Sequence, residues 1–335
     1  MIKNILLSVV VLVVVVVGFF YYKNYKKPVP SVVIKELPII KVGLTPPGSL
    51  DLIVKTISIL ELDKKYGFKM EYKFVQTTDA MLALLNKTVD VAAIGPTLTV
   101  KMNLEKKSVK IFAPALKLTC PFLVPKDSNI KNLSDLKGKR VGMIGKISAT
   151  YQDLGIIMKK MDEDVDSYYE IVELGYAGMV PGLVKGDVDS IVGICDEVSV
   201  ANLISTNDLK AVGSLEDLYK KAYGNDAQMI LLGVGAREDW LKTHSQEAKA
   251  FSQAVDEALQ YLKKTPDIYK NPLVVKDYKL TPENIETIAV TNDQYKNYDY
   301  IGWDQLIKNL NDFVIDAVSS KILPEQPKTE IFIKL

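Results

Sequence analysis

A short sequence echo constrains the fold of this chain more than any other feature. Residues 84–90 (LLNKTVD) line up with residues 183–189 (LVKGDVD). In both copies a short helix is predicted to turn into a strand that opens with Val-Asp. Because the order of the predicted elements repeats together with the residues, we expect two similar lobes in which strands and helices alternate.

The stretch 132–147 (NLSDLKGKRVGMIGKI) opens the second of these lobes. Ser134 and Asp135 are suited to cap a short helical turn, and Gly138 can adopt the positive φ that ends one. Residues 140–144 are then apolar and too few for a helix, which is typical of a buried parallel strand. The sequence therefore predicts a strand here, followed by a loop that leads into the next helix.

Apolar runs and helical periodicities alternate along the rest of the chain, and this alternation predicts α/β sheets that are largely parallel, with helices on both faces. In residues 68–74 apolar and charged residues alternate, so that strand should have one solvated face. Strands are expected at residues 39–44, 68–74, 89–94, 109–116, 140–144, 168–174, 188–194 and 228–236. The longer helices are expected at residues 50–60, 79–86, 148–161, 178–185, 245–264, 281–290 and 303–320.

Charge and length exclude some classes of protein. The chain has 335 residues, enough for one large domain or two medium ones. Its net charge is +1, and no basic stripe with interleaved aromatic residues occurs. We therefore expect no nucleic-acid partner.

The sequence contains no convincing catalytic or metal-binding set. His244 is the one histidine, and an exposed residue at the end of a helix is the better interpretation of it. A Ser-His-Asp triad would need this residue, and no Gly-x-Ser-x-Gly motif occurs. One histidine with two distant cysteines makes no Cys/His metal site, and neither a Walker loop nor Gly-x-Gly-x-x-Gly is present. We predict no catalysis, no metal and no cofactor.

The amino terminus is an apolar run. Residues 5–20 are nearly all Val, Leu and Ile, and Tyr21 and Tyr22 follow. A cleaved signal peptide and a retained anchor are both open. We favour the anchor, because no small-residue cleavage site follows and paired tyrosines suit a membrane interface. Residues 1–27 are thus assigned to this anchor or signal segment, and residues 28–38 to a short, stiff linker.

The two cysteines, Cys120 and Cys195, admit two interpretations. They could pair in an oxidising compartment, or they could be small buried hydrophobic residues. We favour the unpaired interpretation.

Loops that follow predicted strands and precede helices are the candidates for a binding site. In an open α/β sheet, ligands bind outside the carboxyl ends of the strands, and free N–H groups at helix starts attract anions. Simple capping is the alternative for any one loop, but loops from two lobes predict a cleft. The loops are residues 45–49, 76–79, 95–97, 145–150, 175–178 and 195–197.

With these motifs placed, residues 39–264 resemble the substrate-binding proteins of ABC importers for nitrate, sulfonate, taurine and thiamine-precursor-like compounds. A lone Asp-Leu-Lys-Gly-Lys turn is shared by many binding proteins, whereas its combination with both Val-Asp strands is more specific. The residues that carry the resemblance are Gly43, 90–96 (DVAAIGP), 124–128 (VPKDS), 130–139 (IKNLSDLKGK), 150–153 (TYQD) and 183–189.

The resemblance implies a type II periplasmic-binding-protein fold, in which two α/β lobes are joined by two crossover segments around a ligand cleft. Residues 39–123 and 213–335 would form lobe 1, and residues 124–212 would form lobe 2. The crossings would lie near residues 119–124 and 209–214. A ligand that touches both lobes would favour their closure.

Site residues follow from the resemblance by position. Tyr223 and Gln228 are weaker candidates, Lys146 is the obvious cation among the loops, and Asp196 with Glu197 could meet an amine of the ligand. The expected ligand-binding residues are Ser49, Gln76, Thr77, Gly95, Pro96 and Thr97 from lobe 1, and Ser148, Thr150, Gln152, Tyr176 and Asp196 from lobe 2.

The implied function is an extracytoplasmic, monomeric solute receptor, attached to the outer face of the cell membrane, that delivers a small polar or anionic solute to the permease and ATPase of an ABC importer. One alternative is an enzyme on the same fold, such as a pyrimidine synthase for thiamine biosynthesis. Another is a signalling module whose lobe closure acts on a separate partner protein.

Overall fold

The computed structural model describes residues 16–23, 36–45, 48–76, 79–264 and 266–335. Residues 16–23 are helical and exposed; the rest of the predicted anchor, and most of the linker, lie outside the described residues. Among the residues that are described, no helix combines the length and the apolar character needed to cross a membrane. Pro38–Leu335 forms one compact unit.

The strands of this unit alternate with helices, as the sequence predicts. In chain order the strands are β1 (Ile39–Leu44), β2 (Lys69–Phe74), β3 (Val91–Ile94), β4 (Val109–Lys117), β5 (Pro121–Pro125), β6 (Arg140–Met143), β7 (Glu170–Glu173), β8 (Ser190–Ile191), β9 (Leu209–Ser214) and β10 (Ile230–Arg237).

Helices pack around these strands, and two short 3₁₀ helices cover Leu133–Leu136 and Pro266–Lys270. The α-helices are α1 (Ser49–Ile59), α2 (Leu62–Tyr66), α3 (Ala80–Leu85), α4 (Pro96–Leu104), α5 (Ala149–Lys160), α6 (Val165–Tyr168), α7 (Gly175–Lys185), α8 (Glu197–Asn207), α9 (Leu215–Tyr223), α10 (Glu238–Thr243), α11 (Ser245–Lys264), α12 (Pro272–Tyr278), α13 (Pro282–Tyr295) and α14 (Trp303–Ser319).

The strands form two five-stranded sheets. The first has the order β2-β1-β3-β10-β4, and the second has the order β7-β6-β8-β5-β9. In each sheet four of the five strands run in the same direction. The fifth strand runs against them: β10 is antiparallel to β3 and β4, and β5 is antiparallel to β8 and β9. The prediction of largely parallel sheets therefore holds for four strands of each sheet, and it is wrong for β10 and β5, which pair with strands far apart in the sequence.

The sequence echo has a common structural cause in the two sheets. In the first sheet, the backbone N–H of Lys41 donates to Asp90 Oδ2 (2.9 Å), and the N–H of Asp90 donates to the carbonyl of Lys41 (2.8 Å). In the second, the N–H of Arg140 donates to Asp189 Oδ2 (3.0 Å), and the N–H of Asp189 donates to the carbonyl of Arg140 (2.8 Å). Each Val-Asp pair thus fixes the start of one strand against its neighbour.

The predicted solvated strand differs from expectation. β2 lies at the edge of the first sheet, and Tyr72 and Phe74 are 50% and 69% exposed. An edge strand has a neighbour on one side only, so the apolar face that the alternation predicts is incompletely covered.

The segment between the two sheets carries a disulfide and a buried ion pair. Cys120 lies between β4 and β5 and is bonded to Cys195, which precedes α8. The prediction of unpaired cysteines is therefore wrong: the fold brings together two residues that are 75 positions apart. Next to this crossing, Lys117 Nζ lies 2.8 Å from Glu216 Oε1, and both side chains are less than 5% exposed. Glu216 follows β9, so this pair ties the two crossings to each other.

Candidate functional site

The amino-terminal ends of α4 and α5, which come from different sheets, meet directly. Gly95 precedes α4, and Pro96 occupies its first turn, where a missing N–H costs nothing. A side chain on Gly95 would place its Cβ 3.4 Å from the Cβ of Ala149, the first residue of α5. The first turns of two helices therefore meet between the sheets, and the N–H groups of a first turn have no partner within their own helix.

Two side-chain hydrogen bonds cross this contact. The hydroxyl of Thr97 donates to Asp153 Oδ1 (3.0 Å), and Lys101 Nζ donates to Gln152 Oε1 (2.9 Å). Gln152 in turn donates from Nε2 to the carbonyl of Ile147 (3.1 Å). The structure thus brings Gly95, Thr97 and Gln152 together, as the site prediction requires.

Asp153 is fully buried at this contact. Its Oδ1 accepts the Thr97 hydrogen bond, while its Oδ2 has no partner among the described residues. Burial raises the pKa of Asp153 to about 7, against the opposing effects of the Thr97 hydroxyl and the Lys101 charge. The site prediction did not include this residue, although Asp153 belongs to the motif at residues 150–153.

The loop before α5 is fixed by Ser148. Its side chain accepts from the N–H of Tyr151 (3.3 Å) and donates to the carbonyl of Gly145 (2.7 Å), which makes it the N-cap of α5. Thr150 is buried in the first turn. Lys146 was predicted to be a cation available to a ligand, but its Nζ pairs with Asp166 Oδ2 (2.8 Å) on the surface of the second sheet's own helices.

Asp196 and Tyr176 form a second part of the candidate site. Asp196 Oδ1 accepts from the N–H of Ser199 (2.8 Å) and caps α8; burial raises its pKa to about 6. The Tyr176 side chain is 54% exposed. Desolvation of its hydroxyl, and then the charge of Asp196, raises the pKa of Tyr176. These two predicted residues therefore lie close to each other at the start of α8.

Glu197, directly after Asp196, contacts the other sheet's helical layer. Its Oε1 accepts from the hydroxyls of Tyr269 (2.6 Å) and Tyr298, while Oε2 is buried without a hydrogen-bond partner among the described residues. On the same helix, Val198 and Ala201 are buried in the core that packs against the first sheet. The amino-terminal half of α8 is therefore part of the contact between the two sheets' layers.

A separate groove of about 440 Å³ lies beside α1 and the edge strand β2. Its floor contains Asp51, which is 2% exposed and accepts from the hydroxyl of Tyr278 (2.5 Å). Lys55 lies 3.8 Å from Asp51 and 2.6 Å from Asp277. Burial raises the pKa of Asp51. All residues that line this groove belong to the first sheet and its helices, so the groove is distinct from the contact between α4 and α5.

The structure says less about the remaining predicted residues. Thr77 and the side chain of Ser49 lie outside the described residues, and Gln76 is exposed. Tyr223 stacks on Tyr219 with ring centroids 4.4 Å apart, and Lys160 Nζ, at the carboxyl-terminal end of α5, lies 5.2 Å from the centroid of the Tyr223 ring. Gln228 is used in binding the loop before α14, where its Oε1 accepts from the N–H of Ile301 (2.9 Å).

The histidine and the two cysteines each have a partner in the described part of the chain. The ring of His244 stacks on Trp240 with centroids 5.4 Å apart, and both cysteines are in the disulfide. Within the described ranges, no group of three or more His, Cys, Asp or Glu side chains is arranged to hold a metal ion.

The predicted resemblance is confirmed by a family model described as NMT1/THI5 like, which matches residues 117–268. This region runs from the end of β4, through the second sheet, to the end of α11. No curated protein sequence matches the chain.

Solved structures confirm the type II periplasmic-binding-protein fold. The periplasmic aliphatic sulphonate binding protein SsuA from Escherichia coli has a TM-score of 0.65 at 15% identity, over 87% of this chain and 95% of that one. The alkanesulfonate-binding protein SsuA from Xanthomonas axonopodis pv. citri, bound to MOPS, has a TM-score of 0.65 at 13% identity, with 90% and 99% covered. The ligand binding component of an ABC-type import system from Staphylococcus aureus, with zinc bound, has a TM-score of 0.65 at 14% identity, with 89% and 97% covered.

Proposed function

We propose that this protein is an extracytoplasmic solute-binding protein, which captures a small polar or anionic solute between two lobes and delivers it to the permease and ATPase of an ABC importer. The observation that carries the proposal is the meeting of α4 and α5, whose amino-terminal ends come from different sheets and face one another at Gly95 and Ala149. A solute that accepts hydrogen bonds from both helix starts would favour the closed arrangement.

The chemistry of the region suits an anionic group. Helix starts present backbone N–H donors and a partial positive charge, and the hydroxyls of Ser148 and Thr150 stand in the first turn of α5. The carboxyls of Asp153 and Asp196 have raised pKa values of about 7 and about 6, so each carries less negative charge near neutral pH than an ordinary aspartate. Within this proposal the solute contacts are Ser49, Gln76, Thr77, Gly95, Pro96, Thr97, Ser148, Thr150, Gln152, Tyr176 and Asp196.

Two similar structures support the solute class. Both are sulfonate-binding proteins, and one of them was solved with the sulfonate MOPS. We therefore include alkanesulfonates, taurine, MOPS, nitrate and aminopyrimidines among the first solutes to test. The proposed lobes are residues 39–123 with 213–335, and residues 124–212. The proposed attachment to the membrane is through residues 1–27.

Thermal unfolding with this panel of solutes tests the function. A solute that binds the folded protein alone raises the melting temperature in proportion to ln(1 + [L]/Kd), and we expect one class of the panel to do so at millimolar concentration or below. Ser148→Ala removes the cap and hydroxyl at the start of α5, and it should reduce that shift. Lys137→Ala is the matched control and should leave the shift unchanged. Lys137 lies on an exposed turn, and its Nζ is 3.7 Å from Glu163 Oε1. A protein that no solute of the panel stabilises would contradict the proposal.

A further inference from the structure

The contact between α4 and α5 buries the carboxyl group of Asp153. Water would reach this group only when the two proposed lobes separate. Asp153 is fully buried. Across the contact, the hydroxyl of Thr97 donates a hydrogen bond to Asp153 Oδ1 (3.0 Å). Thr97 is also buried, at 3% exposure. Because Thr97 and Asp153 come from the layers of different sheets, separating the lobes would break this hydrogen bond and expose both groups.

The second carboxyl oxygen makes the contact asymmetric. Asp153 Oδ2 is buried and has no hydrogen-bond partner among the described residues. A charged carboxylate in that position would have one oxygen neither solvated nor paired, which is costly. A neutral carboxyl group avoids most of this cost, and it can still accept the Thr97 hydrogen bond through Oδ1.

We propose that closing the two lobes over a solute adds a proton to Asp153, so that solute capture is tighter in mildly acidic surroundings. This regulation rests on the proposed solute-binding function, and it concerns the same contact. It makes Asp153 a positioning residue that acts through the closure of the cleft.

Asp153 is the buried carboxyl that spans the contact between α4 and α5. Asp196, whose pKa is also raised, to about 6, accepts its hydrogen bond from Ser199 on its own helix. On α4, the Lys101 ammonium opposes protonation of Asp153, but it donates its hydrogen bond to Gln152. The other charges near α5 pair with one another: Lys146 with Asp166 and Lys159 with Asp164 on the α6 side, Lys160 with Asp316 on α14, and Lys220 with Glu216 on α9.

The sign of the effect follows from linkage. In the closed protein burial raises the pKa of Asp153 to about 7, whereas an open, hydrated aspartate titrates near its ordinary value of about 3.9. Between these two values the closed form holds one more proton than the open form, so closure strengthens as the pH falls. Above about pH 7 both forms are ionised and the dependence disappears. The solute affinity should therefore rise by up to about tenfold per pH unit from pH 7 down to pH 5.

The test compares wild-type protein with Asp153→Asn, which has nearly the same shape and cannot ionise. Calorimetric titration is run at pH 5, 6, 7 and 8 with an alkanesulfonate or with nitrate, whichever gives the larger thermal shift, because the charge of these solutes does not change over that range. Wild type should bind at least tenfold more tightly at pH 5 than at pH 8, and Asp153→Asn should vary by less than threefold over that range. Asp166→Asn is the matched control, since Asp166 is about half exposed and pairs with Lys146 on the surface, away from the contact between α4 and α5; this variant should keep the wild-type dependence.

A measurement without solute separates this inference from the function. Small-angle scattering of the solute-free protein should show a smaller radius of gyration at pH 5 than at pH 8 for wild type, and no change for Asp153→Asn. Thr97→Val removes the hydrogen bond to Asp153 Oδ1, which favours the ionised carboxylate. This variant should therefore move the pH midpoint of the change in radius of gyration to a higher pH than in wild type. Solute affinity equal at pH 5 and pH 8, or an Asp153→Asn variant with the same pH dependence as wild type, would overturn the proton link while leaving solute binding intact. If no solute binds but the scattering change depends on Asp153, the proton link stands and the proposed function fails.

Discussion

Replacing both cysteines by alanine tests whether the disulfide stabilises the connection between the two sheets. Cys120 lies in the first crossing, and Cys195 stands directly before Asp196, which caps α8. Both are buried, at 0% and 7% exposure. Alanine is preferred to serine because a hydroxyl buried in this core would add a separate cost.

The expected loss comes mainly from the unfolded state. The bond closes a loop over a separation of 75 residues, and in the chain-entropy model a loop of that length lowers the entropy of the unfolded chain by about 15 cal/mol/K, or about 4.5 kcal/mol at 25 °C. We expect the free energy of unfolding of Cys120→Ala/Cys195→Ala to fall by about 3–5 kcal/mol, with solute affinity also reduced because α8 begins two residues after Cys195.

Equilibrium unfolding in urea, with linear extrapolation to water, measures this loss. A reductant added to wild type should reproduce it, and the same reductant should leave the double variant unchanged. The reasoning fails if oxidised and reduced wild type differ by less than about 1 kcal/mol, or if both thiols of the native, untreated protein react with a thiol reagent.

Four further substitutions test the packing between and within the sheets. Glu216→Gln should destabilise the protein by about 3 kcal/mol, since it removes the negative charge from the buried ion pair with Lys117. Lys117→Met should cost less, because Lys220 Nζ still lies 3.0 Å from Glu216 Oε1, and urea unfolding compares the two. Gly235→Ala should lower the free energy of unfolding by about 1–3 kcal/mol, since its Cβ would lie 2.2 Å from a side-chain carbon of the neighbouring strand; a neutral result would mean that the strand shifts freely. Glu197→Gln should weaken the contact between α8 and the first sheet's layer, and faster amide exchange in the amino-terminal half of α8 measures this; unchanged exchange there would contradict the role given to this carboxylate.

Local sequence patterns were sufficient where an element is defined by its own residues. Residues 245–264 were predicted as a helix, and α11 has these bounds, because its apolar residues recur at helical spacing and Pro266 follows its end. The echo at residues 84–90 and 183–189 predicted two similar units, because the same few residues do the same structural work in both copies. In each copy the aspartate binds the backbone at the start of the neighbouring strand.

Pairings between distant residues could not be read from the sequence. The strand at residues 228–236 was predicted, but a uniformly apolar run does not reveal that β10 is antiparallel to both of its neighbours. The cysteine bond depends on the return of the chain to Cys120 after 75 residues. The contact of Glu197 with Tyr269 and Tyr298 likewise joins parts of the chain with no common pattern.

Only part of the candidate site could be predicted, because it too depends on contacts between residues that are distant in the sequence. The loops before α4 and α5 were recognised by their place after strands, and the structure brings Gly95 and Thr97 to α5. Asp153 was missed as a site residue because helical periodicity does not tell which side chain of α5 reaches across to another sheet. The sequence also did not show that Lys146 pairs with Asp166 on the next helix; its role as a cation for a ligand stays a prediction.

Hydrogen–deuterium exchange with and without the stabilising solute tests the central claim, that a solute is held between both lobes. At a concentration of about 100 times Kd, binding adds about 2.7 kcal/mol, so amides that exchange only when the cleft opens should slow by about 100-fold. The account predicts this protection in the amino-terminal turns of α4 and α5 together, with the turn at residues 137–140 unchanged. Protection confined to one of the two helices, or found only around the groove beside α1, would contradict it.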